Sequence, residues 1–255
     1  MKSADRALRV LQTLARHARP MPTMAIARAC NVPKSSAHNL LNTMRALGFV
    51  SYYPTDHAWG LGPSAFEVGA AYLRAGAMER IARPELAALA NETETSAQLW
   101  APVGSEIVCI ECVPPDGVRA AMRVETGTRL PIVGTAPGRA MMATLPPAQA
   151  RLMPDPANRA GPREWGDPSG LEEVRAAGYA QDGGGFGSGV GCIAAAVVAR
   201  DGLPLGAVSV IHVAYNGDAE RGAQLSGAVT RAASRLSGVI AGGVAMATSI
   251  PEAAV

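Results

Sequence analysis

Helix, turn, helix and hairpin signals at the N-terminus, followed by strand runs interleaved with helices, make this an α+β chain with an antiparallel sheet in its larger part. Residues 23–60, TMAIARACNVPKSSAHNLLNTMRALGFVSYYPTDHAWG, contain two short amphipathic helices, a tight turn and a β-hairpin, the order of a winged helix-turn-helix. The basic excess is confined to that end. Residues 1–60 hold Lys2, Arg6, Arg9, Arg16, Arg19, Arg28, Lys34 and Arg45 against Asp5 and Asp56, a balance of +6 in a chain whose total is +2, so the remainder carries −4. A basic unit joined to an acidic one is the charge pattern of a phosphate-binding domain coupled to a sensing or catalytic domain.

The elements follow in order. Ser3 or Asp5 caps a first helix over about 4–17, with Ala7, Leu8, Leu11, Leu14 and Ala15 packing beneath the helix pair. Thr23 is an N-cap for the second helix, in which Ala25, Ile26 and Ala29 form an apolar stripe that stops at Asn31. Pro33 suits a first helical position, so a third helix runs from Pro33 to about Leu47. Ala37, Leu40, Leu41, Met44 and Leu47 face the core. Lys34, Ser35, Ser36, His38, Asn39, Asn42 and Arg45 lie on the other side, with no acid among them. Short donors and acceptors with cations suit an element that lies in a major groove and touches base edges and phosphates, so these seven are the candidate DNA-binding residues. Gly48 ends the helix, and 49–61 form the two strands of the wing around a turn at 54–57. A helix then opens at Gly62-Pro63, and Phe66, Gly69, Ala70, Leu73 and Ala77 make it a candidate dimer seam; packing against its own wing is the alternative.

In the larger part, a helix over about 78–92 has Ile81, Ala82, Leu86, Leu89 and Ala90 on one face. Strands are expected at 96–102, 106–113 and 118–125, and a helix begins near Thr135 or Ala136. Prolines make 146–170 mostly loop. A short helix over 170–178 precedes a strand at Tyr179, a glycine-rich loop, strands at 192–200 and 205–213 joined by an Asp201-Gly202 turn, and a last helix over about 218–244. The boundaries are 1–62 for the winged domain, 63–77 for a linker helix and 78–245 for the larger domain.

Composition narrows the functions. With 48% hydrophobic and 17% charged residues the chain is globular, and it has no long apolar run that would cross a membrane. Its charged amphipathic start does not read as a signal peptide, so a cytoplasmic protein is expected. Four cysteines in that compartment are reduced thiols. Cys109 and Cys112 form a lone CxxC, but in a strand positions three apart point to opposite faces, which argues against a metal or redox pair. The loop QDGGGFGSGVGC lacks phosphate-loop spacing and enters a strand rather than a helix, so neither a nucleotide nor any other cofactor, nor a metal, is implied.

The segments RALRVLQTLA, ARACNVPKSSAHNLLNTMRALGFV, WGLGPSAFEVG, RPELAALANET, TGTRLPIVGTAPGRAM, EEVRAAGYAQD and GVGCIAAAVV, in this order, resemble the IclR family of bacterial transcriptional regulators. The resemblance spans about 3–242. It implies a winged helix-turn-helix that binds double-stranded operator DNA, a dimerising linker helix, and a C-terminal GAF-like domain that binds a small effector, in a homodimer or a tetramer of two dimers. Family members often control catabolic operons, many for aromatic acids. The resemblance further implies that Gly134, Thr135, Ala136, Asp182, Cys192 and Ser209 line the effector pocket. Val133 stands where relatives often have His, and Gly183, Gly184 and Gly185 stand where acids follow the Asp, so a less polar pocket is expected.

Two rival functions remain open on sequence. One is an enzyme with Cys192 as nucleophile, His212 as base and Asp182 as orienter. The other is a ligand-independent DNA binder, weakened by a large acidic domain without a nucleic-acid motif.

Overall fold

The computed structural model describes residues 2–17, 19–75, 77–117, 124–152, 170–182, 190–213 and 219–241. It divides into two units, Met1–Gly76 and Ala77–Val255.

The first unit contains α1 (Lys2–Ala15), β1 (Met21–Pro22), α2 (Thr23–Ala29), α3 (Lys34–Ala46), β2 (Val50–Tyr53), β3 (Ala58–Leu61) and α4 (Pro63–Ala75). β1 was not expected; its two residues pair with Ala58 and Trp59 and extend the wing to three antiparallel strands in the order β1-β3-β2. Val10, Leu14, Ile26, Leu41, Met44, Val50 and Trp59 fill the core. Some expected core positions differ. Leu8 is 60% exposed and Leu47 63%, because the α1 stripe is centred on Val10 and Leu14, and Leu47 is already the C-cap of α3.

The turn between α2 and α3 shows why a non-glycine residue serves there. Asn31 takes φ +51°, its N–H bonds to the Arg28 carbonyl, and the Val32 N–H reaches back to Ala27. That is a Schellman ending with Asn in the left-handed position, which Asn tolerates better than most residues. α3 ends the same way at Gly48, φ +76°, with Phe49 N–H on the Met44 carbonyl. Thr23, expected to cap α2, is its first helical residue instead; Pro22 holds the cap position, and the Thr23 hydroxyl accepts the Trp59 indole N–H at 2.9 Å.

The second unit contains α5 (Ala77–Thr93), β4 (Ala97–Val103), β5 (Glu106–Val113), β6 (Arg129–Pro131), α6 (Ala136–Thr144), α7 (Pro147–Leu152), α8 (Leu171–Ala177), β7 (Ala180–Asp182), β8 (Val190–Val198), β9 (Pro204–Val213) and α9 (Ala219–Ala241). The strands form one antiparallel sheet, ordered β6-β5-β4-β9-β8-β7. Period-two alternation splits the sheet's side chains between two cores. Leu99, Ile193, Val208 and Val210 pack with α5 and α9, while Trp100, Cys192, Ala194 and Ile211 pack with α6 and α8. α7 lies in the proline-rich stretch expected as loop. Most of the strand expected at 118–125, and the loop at 183–189, lie outside the described residues; Val124 and Glu125 are not in a strand.

The CxxC reading needs correction. β4 pairs Leu99 with Glu111 but Trp100 with Cys109, so Ile110 is an extra, bulged residue. The bulge resets the alternation, and Cys109 and Cys112 share the α6-facing core. They remain buried thiols, and burial, then the neighbouring Cys112, pushes Cys109 up to about 12.

Candidate functional site

The outer face of α3 is the candidate nucleic-acid surface. Lys34, Ser35, His38, Asn39, Asn42 and Arg45 are exposed, while Ser36 is half-buried on the flank. At about 100° per residue, Ser35, Asn39 and Asn42 stand opposite the buried Ala37, Leu41 and Met44. His38 and Arg45 share one side of that ridge with Lys34. Among the described residues none of these side chains is engaged in a hydrogen bond with another part of the chain; Thr43, by contrast, turns its hydroxyl back to the Asn39 carbonyl at 3.1 Å.

The expected effector residues converge where the N-terminus of α6 meets the sheet. Gly134 takes φ +88° and leads into Thr135, which caps α6. The Thr135 hydroxyl accepts the Gly138 N–H at 3.3 Å and donates to the Pro131 carbonyl at 2.9 Å, so its proton and one of its two lone pairs are already committed. Asp182 ends β7 and places Oδ2 2.7 Å from the Ala136 N–H, so the chain's own carboxylate sits at the helix end. Cys192 is the cross-strand partner of Asp182 and is buried. Ser209 is also fully buried; it accepts the Trp100 indole N–H and donates to Gln98 Oε1, each at 2.9 Å. Sequence reasoning missed Trp100 and Gln98, although a Gln inside the apolar run AQLWAPV is itself a sign of a buried polar partner.

The catalytic alternative fails on geometry. Cys192 pairs with Ile211, whereas His212 pairs with Gly191 one position on, so alternation puts the thiol and the imidazole on opposite faces of the sheet. The thiol is also held protonated, well above the ordinary cysteine range, first by burial and then by the Asp182 charge. A nucleophile needs the reverse shift. Titration of the folded protein with an aromatic disulfide at mildly alkaline pH is therefore expected to release well under one equivalent of thiol, and all four after unfolding. Rapid labelling of Cys192 in the native state would contradict this burial.

A winged helix with an outward polar face on α3, in one chain with a larger α+β domain, is the architecture of a DNA-binding regulator. The chain belongs to the IclR family: residues 3–54 match the IclR helix-turn-helix domain and 70–238 the bacterial transcriptional regulator IclR C-terminal domain. It is accordingly a transcriptional regulator and not an enzyme. It is 28% identical to the HTH-type transcriptional regulator BhcR of Paracoccus denitrificans, over 93% of this chain and 86% of that protein. An IclR transcriptional regulator from Alicyclobacillus acidocaldarius superposes with a TM-score of 0.81 at 25% identity, covering 93% of this chain and 98% of that one. An IclR homologue from Microbacterium hydrocarbonoxydans, crystallised with 4-hydroxybenzoate, shares the fold with a TM-score of 0.73 at 20% identity, covering 94% and 100%.

Proposed function

We propose that this regulator represses a catabolic operon by holding double-stranded operator DNA with α3, and that a small organic effector, aromatic and carboxylate-like, modulates that hold. It acts in the cytoplasm. The observation that carries the DNA half is the uncommitted outer ridge of α3, polar, cationic and free of acids. We assign base-edge contacts to Ser35, Ser36, Asn39 and Asn42, and phosphate contacts to Lys34, His38 and Arg45.

The test is titration of a fluorescent DNA fragment from upstream of the regulator's own gene and its neighbours. Asn39→Ala and Ser36→Ala are each expected to cost about 1 to 3 kcal/mol and to relax sequence preference. Lys34→Ala is expected to weaken all sequences alike and to lower the salt slope by about one unit. Unchanged binding by all three variants would move the groove reader to another element.

The effector half rests on the convergence of Gly134, Thr135, Ala136, Asp182, Cys192 and Ser209 at one end of α6. Because Asp182 already takes the Ala136 N–H, a carboxylate effector at this helix end competes with it. The ligand of the Microbacterium homologue, 4-hydroxybenzoate, has the chemistry expected of such a competitor.

Assembly as a homodimer, or as a tetramer of two such dimers, follows from the phosphate contacts a single small domain lacks at physiological salt. α4 supports this reading, since Phe66 is 78% exposed and does not cover the wing of its own unit; the side chain of Leu73 lies outside the described residues. Phe66→Asp is expected to leave the fold intact, halve the sedimenting mass and abolish operator binding. A full-sized assembly in that variant would send the interface elsewhere.

A further inference from the structure

We propose a second small-ligand site, at the C-terminal end of α6, built for a monocarboxylate with a compact apolar body. A cavity of about 310 Å³ opens there between α6, α8 and β8. That volume is at the lower end for ligand pockets and holds a single ring with its substituent. Ala140, Ala143 and Val174 form a buried floor, and Ala196, Gly178 and Thr144 the wall. Alanine and glycine on three elements leave space that larger side chains would fill.

The mouth carries one cation, Arg175. Its guanidinium is fixed from behind. Nε donates to the Ala143 carbonyl at 2.9 Å and Nη2 to the Leu145 carbonyl at 3.3 Å, both at the end of α6 where carbonyls lack helical partners. Nη1 pairs with Glu172 at 2.5 Å. Glu172 is 80% exposed, and an exposed i,i+3 pair contributes little, so a ligand carboxylate can replace it without disturbing the two bonds that hold the fork. The ligand's apolar body then leaves water for the alanine-lined floor, a gain Glu172 cannot match. The cavity thus offers open volume beside a positioned cation. This assignment is independent of the effector site proposed at the α6 N-terminus.

Isothermal titration of the full chain with sodium benzoate, without DNA, tests it. Saturable binding is expected, tightened several-fold by Glu172→Gln, which removes the internal competitor from an exposed position and leaves the fold untouched. Arg175→Gln is expected to weaken it at least about tenfold, and Ala143→Val, which occupies the floor, to do the same. Benzyl alcohol should bind far more weakly than benzoate. Asp182→Asn should leave benzoate affinity unchanged. Absence of saturable binding, or equal affinity in wild type and Glu172→Gln, overturns the proposal. Tighter benzoate binding in Asp182→Asn with no change in Glu172→Gln also overturns it, and places the ligand at the α6 N-terminus with the proposed function intact.

Discussion

Gly138→Ala is expected to unfold the C-terminal unit. A Cβ built at Gly138 lies 1.8 Å from the Ile132 carbonyl oxygen and 2.5 Å from its carbon, far inside van der Waals contact and against backbone rather than a movable side chain. The helix cannot retreat to relieve it. Thr135 holds the Gly138 N–H, the Arg139 N–H bonds to the Thr135 carbonyl at 2.8 Å, and Asp182 holds the Ala136 N–H from the sheet. One methyl group must therefore break the cap or shift the 131–133 segment, at an expected cost of roughly 4 kcal/mol or more. Gly238, on the exposed face of α9, is the matched control: nothing lies within 4 Å of its added Cβ, and Gly238→Ala is expected to be neutral or stabilising by up to about 1 kcal/mol. Urea unfolding followed by circular dichroism measures both. A Gly138→Ala midpoint equal to wild type would mean that the 131–138 turn yields freely.

The parts of the fold that were legible in sequence are those where a local pattern and the tertiary environment agree. β5 runs over the expected 106–113, and α8 lies between the two glycines, Gly170 and Gly178, that cap it in the left-handed conformation. α5 buries Ala82, Leu86, Leu89 and Ala90, as its stripe required. The misses have physical causes. The bulge at Ile110 comes from pairing with β4, and no feature of EIVCIECV announces it. Thr23 has the chemistry of a cap, but the Trp59 indole, 36 positions away, takes its hydroxyl. β1 exists only because β3 offers it an edge.

In the site, residue types foretold location better than role. The family pattern brought Thr135, Asp182, Cys192 and Ser209 to one region, but the bonds already made by Thr135 and Ser209, and the carboxylate on the α6 end, appear only when the strands are registered. The cavity beside Arg175 had no sequence signal, since it consists of small residues from three separate elements.

Ser209→Ala is expected to be the costliest conservative change among the residues proposed to line the effector pocket. The hydroxyl sits between two fully buried partners, accepting from Trp100 Nε1 and donating to Gln98 Oε1. Gln98 has its amide nitrogen on the Ser96 carbonyl at 2.8 Å, which fixes its orientation and leaves Oε1 dependent on Ser209. Removing one oxygen strands an indole N–H and an amide oxygen without water. Each unsatisfied buried group costs about 1 to 3 kcal/mol, so a loss of roughly 2 to 5 kcal/mol is expected in urea unfolding of the C-terminal unit. Trp100→Phe removes the orphaned donor, so the double variant should be less destabilised than the sum of the singles by about 1 kcal/mol or more. Additive singles, or a Ser209→Ala loss below about 1 kcal/mol, would show that the pocket rehydrates or repacks around the gap. The same balance constrains any effector that takes the Ser209 hydroxyl. A ligand that accepts the Ser209 proton must itself donate to Gln98 Oε1, or binding leaves that buried oxygen unpaired, while Trp100 Nε1–H keeps its bond to Ser209 Oγ.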